Sequence, residues 1–314
     1  MNAIAHRYGI HALHHLTLLP ATVSSILNYS SCMKLLFFSV FSSLFLVTAT
    51  LAQSSQRSGD WQSLFNGKDL GGWETYLDRP YAKDNQENKT PPLGLNNDPN
   101  HVFSVVTVDG KPALRISGET FGGINTLTEF GNYHLRMEFK WGTQKWPPKL
   151  DRPRDSGLLY HSVGPHGTPM LWMESFELQV QEGDCGDYWG VMNVLADISA
   201  KKNEKGAYVY QPGATPITFQ DKTPVGRSCL KSPDNEKPSG QWNVLELYCL
   251  GDTCLHVMNG KVNLVLMHTR HLVDGEVVPL TKGKIQIQSE GAEVFYRNIQ
   301  VQTISQLPAD LRQQ

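Results

Sequence analysis

The sequence predicts an all-β fold in which two antiparallel sheets pack as a β-sandwich or jelly roll. Apolar and polar residues alternate in many short segments, as expected for strands with one buried face. Gly, Pro, Asn and Asp separate these segments and provide tight turns. No segment keeps a helical period, and residues 190–200 are the one place where a short helix is predicted. Many short strands with such turns are typical of sandwiches and jelly rolls.

The individual strands are read from β-branched or alternating segments that end at turn residues. Asp109-Gly110 and Asn259-Gly260 are strong hairpin signals between two such segments. Two further predicted strands, at 155–161 and 176–182, contain polar residues that are discussed below. The remaining predicted strands are 102–108, 113–117, 133–141, 242–250, 255–258, 262–267, 284–288 and 294–301.

The N-terminal residues are predicted to lie outside this fold. Met33-Lys34 precedes an apolar run that ends in Thr50-Leu-Ala52, the pattern of a secretory signal peptide, with a membrane anchor as the alternative. We therefore expect the protein to be exported, to the periplasm or beyond the cell. The predicted segments are a non-native upstream extension (1–32), the signal peptide (33–52), a polar leader (53–60), one catalytic β-sandwich domain (61–304) and a tail (305–314).

Charge and cysteine content restrict the partners. The chain has 28 basic and 30 acidic residues and no basic stripe, which argues against nucleic acid as a partner. No membrane span is expected after signal removal. Cys249 and Cys254 flank a predicted hairpin turn and are expected to form a disulfide across it, with Cys185 and Cys229 as the second pair. A zinc site built from these four cysteines is the alternative.

The segment 175–181 alternates strictly. Phe176, Leu178 and Val180 are apolar and are expected to face the core, whereas Glu177 and Gln179 share the opposite face. A carboxylate flanked by carboxamides suits the floor of a cleft that binds hydroxyl groups. A solvated sheet face is the alternative.

Several segments resemble the bacterial 3-keto-disaccharide hydrolase family, in the same order along the chain. The similarity runs from about Trp61 to Ile304, and at two positions this chain differs from many members, with His161 in place of Arg and Glu182 in place of Asp. The resemblance implies a concanavalin-like jelly-roll sandwich with a carbohydrate site on its concave face. The matching segments are Leu64-Phe-Asn-Gly-Lys-Asp-Leu-Gly-Gly-Trp73, Asp155-Ser-Gly-Leu-Leu-Tyr-His161, Phe176-Glu-Leu-Gln-Val-Gln-Glu182, Gly283-Lys-Ile-Gln-Ile-Gln-Ser-Glu-Gly291 and Val294-Phe-Tyr-Arg-Asn-Ile299.

The resemblance also implies an enzyme that cleaves the glycosidic bond of 3-keto-glycosides or 3-keto-disaccharides. A ketone at C3 acidifies the C2 hydrogen, so a base can remove it and the C1 oxygen can leave, with or without later addition of water. Glu177 and His161 are the candidates for base and acid, with the assignment between them open. Gln179 and Gln288 are expected to bind hydroxyl groups. A divalent metal is a further expectation, with His161, Glu177 and Glu182 as its ligands, and no organic cofactor is expected.

Four further side chains are candidates for contacts with the sugar: Lys140, Trp146, Arg154 and Trp189. Trp146 and Arg154 lie in the long Pro-rich segment 142–154, which is interpreted either as a lid or as a stiff crossover. Two other functions stay open. One is a plain glycosidase with two carboxylates, and the other is a non-catalytic carbohydrate-binding module.

Overall fold

A computed structural model describes residues 59–81 and 90–311, which lie within one compact unit, 54–314. The predicted extension, signal peptide and most of the polar leader lie outside the described residues. In the part of the chain that is described, no helix has the length and apolarity needed to cross a membrane.

The described residues form strands and turns, without an α-helix among them. The short helix predicted at 190–200 is wrong, since two strands occupy this segment. In chain order the strands are β1 (Gln62–Ser63), β2 (Trp73–Leu77), β3 (Gly94–Leu95), β4 (Phe103–Val108), β5 (Lys111–Ile116), β6 (Gly122–Thr126), β7 (Phe130–Gly131), β8 (Tyr133–Lys145), β9 (Asp155–Val163), β10 (Glu174–Gln181), β11 (Tyr188–Val191), β12 (Val194–Lys202), β13 (Tyr208–Tyr210), β14 (Pro216–Gln220), β15 (Ser228–Cys229), β16 (Asn243–Leu250), β17 (Thr253–Met258), β18 (Lys261–Val273), β19 (Glu276–Pro279), β20 (Lys282–Ser289) and β21 (Ala292–Thr303).

Two antiparallel sheets make up the sandwich, as the sequence predicts. The main path of the twelve-stranded sheet runs β13-β12-β18-β17-β16-β8-β21-β5-β4. The main path of the nine-stranded sheet runs β15-β11-β10-β9-β20-β6-β2-β3. Strands distant in sequence are neighbours in both sheets, which is the pattern of a concanavalin-like jelly roll. The two motif strands β9 and β10 pair with each other, and β20 lies on the other side of β9.

The core lies between the two sheets and is built by alternate residues of each strand. On β10 these residues are Phe176, Leu178 and Val180, all fully buried, which confirms the alternation predicted for this segment. Ile285 and Ile287 of β20 pack into the same core. The other residues of these strands therefore point to the outer face of the nine-stranded sheet.

A β-bulge interrupts the alternation of β9. Glu174 pairs with Val163 and Phe176 pairs with Tyr160, so one residue of β10 is opposite two residues of β9. His161, inside the bulge, has a positive φ of 49°. A bulge of this kind changes the side to which the following side chain points.

The tight packing at this bulge generates a stability prediction. A Cβ atom on Gly283 of β20 would lie 2.4 Å from the carbonyl carbon of His161. Because backbone cannot move away as a side chain can, we expect Gly283→Ala to lower the free energy of unfolding by about 1–3 kcal/mol in denaturant titrations. Gly59→Ala is the control, since its Cβ would make only ordinary contacts, at 3.5 Å or more. Equal stability of the two variants would contradict the prediction.

Candidate active site on the outer face of the nine-stranded sheet

Polar side chains cover the outer face of the nine-stranded sheet. β10 contributes Glu177 and Gln179, and β20 contributes Lys284, Gln286 and Gln288, between apolar residues that face the core. Although these groups point away from the core, Glu177 is only 6% exposed and Gln288 only 2%. They therefore form the floor of a recess rather than a solvated surface.

Gly157 of β9 creates the space between the two flanking strands. A Cβ atom there would lie 2.2 Å from Oε1 of Glu177 and 2.3 Å from Oε1 of Gln288. The carboxyl of Glu177 and the amide of Gln288 thus converge above the glycine from opposite sides of β9. Any larger residue would push the two side chains apart, which explains why a glycine occupies this position in the middle of a strand.

Lys149 and two carboxylates form an ion-pair group at one end of this recess. Nζ of Lys149 donates to Asp155 and, at 2.5 Å, to Oε1 of Glu290. Burial by itself would lower the pKa of Lys149, but the two carboxylates raise it above its usual value. Burial raises the pKa of Asp155, and burial with the nearby Asp155 charge raises that of Glu290 to about 7. One lysine therefore does not neutralise all the buried negative charge.

Glu177 is the most strongly perturbed carboxyl group of the recess. Burial raises its pKa well above 4.5, and the charges of Glu290 and Asp155 raise it further, against the opposing effect of Arg227 and Lys149. A carboxyl with a raised pKa is a stronger base when ionised and an acid when protonated. This combination of burial and specific charge partners is typical of functional carboxylates.

Several buried oxygens in the recess have no hydrogen-bond donor among the described residues. They are Oδ1 of Asp155 and Oε1 of Gln288, and none of the hydrogen bonds within the described ranges involves the carboxyl of Glu177. Nearly all buried acceptors in folded proteins are satisfied, so these oxygens are positions where water or a bound ligand can donate hydrogen bonds. Sugar hydroxyl groups are donors of this kind.

The aromatic wall beside Glu177 comes from β11. Trp189 pairs directly with Glu177 across the strands, so its side chain lies on the same outer face. The guanidinium carbon of Arg227 lies 5.4 Å from the centre of the Trp189 ring. Trp189 therefore stands beside the recess, and Arg227 brings a cation next to it.

A second polar cluster occupies the opposite end of the same face. Glu74 accepts a hydrogen bond from Lys284 at 2.5 Å and lies 3.0 Å from Nε2 of His166. Burial opposes ionisation of Glu74, but the hydrogen bonds and charges of Lys284 and His166 keep its pKa below 4.5. Trp172, in the same loop as His166, donates to the backbone of Gly122 at 3.0 Å. This loop therefore closes that end of the face.

The structure contradicts the expectation that His161 lies beside Glu177. The bulge turns its ring into the core, where it is fully buried against Tyr133, Tyr160 and Phe176. Phe176 and Glu177 point to opposite faces of β10, so the sheet separates the imidazole from the carboxyl group. His161 therefore contributes neither acid nor base to this recess.

The structure also does not bring together the three predicted metal ligands, His161, Glu177 and Glu182. Glu182 lies just beyond β10 and makes a two-oxygen ion pair with Nη1 of Arg154, at 3.0 and 2.9 Å. Arg154 also donates to the backbone of Gly142 on the twelve-stranded sheet. The predicted sugar contact at Arg154 and the predicted ligand Glu182 thus neutralise each other at the edge between the sheets.

Two other predicted sugar contacts lie elsewhere. Lys140 is on β8 of the twelve-stranded sheet, where it pairs with Asp109 at 3.1 Å and lies over the ring of Trp242. Since Phe139 and Trp141 on either side of it face the core, Lys140 faces outward from the other sheet. Trp146 donates its ring N–H to the Ser117 carbonyl at 3.0 Å. This contact fixes it to the backbone and does not support a free lid.

A group with metal-ligand chemistry does occur, but in the core. His161, Cys249 and Cys254 have ligand atoms within 4.8 Å of one another, and all three residues are buried. Burial would raise the pKa of Cys249, but the hydrogen bond from Cys254 and the adjacent His161 lower it to about 6. His161 is thus near a set of metal-ligand atoms, although not the set predicted from the sequence.

The predicted disulfides are not formed in the structure. Cys249 and Cys254 face each other across the hairpin as expected, with Sγ of Cys254 donating to Sγ of Cys249 at 2.8 Å, yet both are thiols. Cys185 and Cys229 are buried thiols as well, and each donates to a nearby carbonyl, of Gln181 and Leu230 respectively.

Several residues of the recess were not predicted from the sequence. Lys284, Gln286 and Glu290 follow the same two-residue spacing as the predicted Gln288, so the parity argument applied to β10 would have found them along and just beyond β20. Asp155 and Lys149 could be found only after β9 and its preceding loop were placed. The pairing of Glu74 with Lys284 joins residues 210 positions apart, and no local pattern reveals it.

The fold defines a concanavalin-like jelly-roll sandwich, and its outer face carries a carboxylate-lined recess. The chain belongs to the family described as the 3-keto-alpha-glucoside-1,2-lyase-like domain, which its sequence matches over residues 60–302. A comparison with curated proteins finds no match.

Solved structures with a similar fold share little sequence with this chain. A candidate glycosyl hydrolase from Parabacteroides distasonis is 17% identical with a TM-score of 0.45, covering 79% of this chain and 94% of its own. A second one from the same organism is 17% identical with a TM-score of 0.43, covering 78% and 100%. The Bacillus licheniformis beta-glucanase is 12% identical with a TM-score of 0.37, covering 79% and 99%.

The raised pKa of Glu290 generates a prediction about stability. Between pH 4.5 and about 7, the Glu290 carboxyl of the folded protein binds a proton more tightly than that of the unfolded chain. The contribution of Glu290 to the free energy of unfolding therefore falls as pH rises through this window. We expect the stability of the wild type relative to Glu290→Gln to decrease with pH over that range in denaturant titrations. Glu129→Gln, which removes an exposed carboxylate, is the control. A constant difference across the window would contradict the prediction.

Proposed function

We propose that this protein cleaves the glycosidic bond of a 3-keto-glycoside in the recess above Gly157. The observation that supports it most is the convergence of the buried Glu177 carboxyl and the Gln288 amide above that glycine. Membership of the 3-keto-alpha-glucoside-1,2-lyase-like family supports this substrate class. Export of the protein, as the apolar segment after Met33 predicts, belongs to the same proposal and fits a substrate outside the cytoplasm.

Glu177 acts as the general base in this proposal. Its raised pKa suits removal of the C2 hydrogen, which a neighbouring C3 ketone makes acidic. The electron pair of the C2–H bond passes to the C3 oxygen as an enolate, and a cation must stabilise that oxygen. Lys149 and Arg227 are the cations whose charge already acts on Glu177. They therefore stabilise the enolate, a role that a divalent metal fills in other enzymes.

Elimination then breaks the bond between C1 and the glycosidic oxygen, and the leaving oxygen takes up a proton. Glu290 replaces His161 as the candidate acid, since a pKa of about 7 leaves it partly protonated at neutral pH. Glu177 carries the proton from C2 at this stage, and addition of water across the new double bond would give net hydrolysis. Gln288 and Asp155, with their orphaned oxygens, would accept hydrogen bonds from the sugar hydroxyl groups.

A plain glycosidase is the second candidate, and the structure offers an observation in its favour. Glu290 and Asp155 lie close enough to Glu177 to raise its pKa, so the recess contains more than one carboxylate. Paired carboxylates are the requirement for that reaction. Sugar binding without catalysis would not require carboxyl groups with raised pKa values. The third candidate, a carbohydrate-binding module, therefore accounts for the recess less well than either enzyme.

A pair of matched substrates separates these functions. We expect the purified protein to cleave a 3-keto-glucoside and to leave the same glucoside without the ketone unchanged, as followed by chromatography of the released aglycone. Because the proposal uses Lys149 and Arg227 rather than a metal in the recess, a chelator treatment that leaves Tm unchanged should not abolish turnover. Cleavage of the unoxidised glucoside would favour the plain glycosidase, and binding without turnover of either would favour the binding module.

The role of Glu177 is tested by an isosteric substitution. Glu177→Gln keeps the shape but cannot take up the proton, so we expect kcat on the keto substrate to fall by about 10²- to 10⁴-fold with little change in Tm. Glu174→Gln on the same strand is the matched control, because Glu174 pairs with His271 of the other sheet at 2.6 Å. Full activity of Glu177→Gln would remove Glu177 from the mechanism.

A further inference from the structure

The His161, Cys249 and Cys254 cluster lies in the core on the opposite side of the nine-stranded sheet from the recess. Cys249 pairs with Tyr133 of β8 on one side and with Cys254 of β17 on the other. These three residues thus form one row across adjacent strands of the twelve-stranded sheet. His161 reaches the row from the nine-stranded sheet, so the cluster connects the two layers of the sandwich.

The bulge at His161 places a polar ring among the aromatic side chains of the core. A regular β9 would turn the side chain at this position to the outer face, next to Glu177. The extra residue and the positive φ instead place an imidazole inside an apolar core, where burying a polar group is unfavourable unless it is satisfied. Strained positions of this kind cluster at functional sites, which makes the groups around this imidazole worth considering as a binding site.

The hydrogen bonding of the imidazole determines which nitrogen is available. Nδ1 lies 3.2 Å from the carbonyl oxygen of Leu280, so in the neutral ring Nδ1 carries the hydrogen and donates it. Nε2 then has a free lone pair and is fully buried; the Cys249 sulfur is the polar group beside the ring, but no hydrogen bond of regular geometry reaches Nε2 from the described residues. A histidine whose other nitrogen donates to a backbone carbonyl is the usual arrangement of a metal ligand.

We propose that Nε2 of His161 and the sulfur atoms of Cys249 and Cys254 bind a structural zinc ion between the two sheets. Two thiolates and one imidazole are ligands that zinc prefers in tetrahedral sites. Tyr133, which pairs with Cys249 on the neighbouring strand, has a buried hydroxyl whose nearest polar group is the Cys249 sulfur, with no bond of regular geometry within the described part of the chain. Since all four side chains are buried, the site is closed and has no open position for a substrate.

A disulfide between the two cysteines is the competing explanation. It would use both sulfur atoms, but it would leave Nε2 of His161 and the hydroxyl of Tyr133 without partners. Zinc satisfies the histidine and both sulfurs at once. The sulfur atoms, 2.8 Å apart in the structure, would separate by roughly 1 Å to reach bonds of about 2.3 Å to the ion.

The proposal is tested on the full-length protein purified without chelator or metal-affinity tag. We expect about one zinc ion per chain by elemental mass spectrometry, and at least about tenfold less in Cys254→Ala and His161→Phe. Cys229→Ala is the matched control, since it removes another buried cysteine that belongs to no metal-ligand group among the described residues, and it should keep its zinc. A wild-type protein without zinc, or full zinc content in both site variants, would overturn the proposal.

A second measurement does not depend on the variants folding. The wild type is refolded from denaturant with cobalt in place of zinc, and we expect sulfur-to-cobalt charge-transfer absorption, which refolding with chelator should not give. Peptide mapping after alkylation in denaturant and chelator should find Cys249 and Cys254 as thiols. Absence of the cobalt absorption, or a peptide with these cysteines in a disulfide, would refute the site. Since the ion is remote from the recess, either result leaves the proposed glycoside chemistry untouched.

Discussion

The alternation of side chains along the nine-stranded sheet is the constraint on which the rest of the structure depends. Each strand must give one face to the core, so it leaves every second residue for the outer face. On β10 and β20 those residues are carboxylates and carboxamides, and Gly157 on the strand between them leaves space for their ends to meet. The apolar residues that stabilise the sandwich therefore also determine where the polar groups of the recess lie.

Burial gives these polar groups their chemical character. An exposed row of Glu and Gln would have ordinary pKa values and would bind water. Here the neighbouring loops cover the face, and the resulting loss of solvation raises the pKa of Glu177, Asp155 and Glu290. Lys149 offsets part of the negative charge, yet the carboxylates still act on one another. A raised pKa and orphaned acceptors are two consequences of the same removal of water.

Because of the bulge in β9, His161 and Glu177 lie on opposite sides of the nine-stranded sheet, in surroundings of different chemistry. Without it, His161 would join Glu177 on the outer face, as the motif and the resemblance imply. With it, the outer face keeps carboxylates and cations, while the histidine joins the cysteines in the core. One extra residue in a strand therefore moves an imidazole from the proposed catalytic recess to a site that links the sheets.

The sequence by itself determined the all-β class, most strand positions, the hairpin that makes Cys249 and Cys254 face each other, and the shared face of Glu177 and Gln179. These features depend on residues close together along the chain, where a period of two or a turn dipeptide is sufficient. Only the tertiary structure decided the inward position of His161, the Arg154–Glu182 ion pair and the meeting of Lys149 with Glu290. Each of these depends on strand register, on a bulge, or on contacts between distant segments, and none of them changes the local hydrophobic pattern.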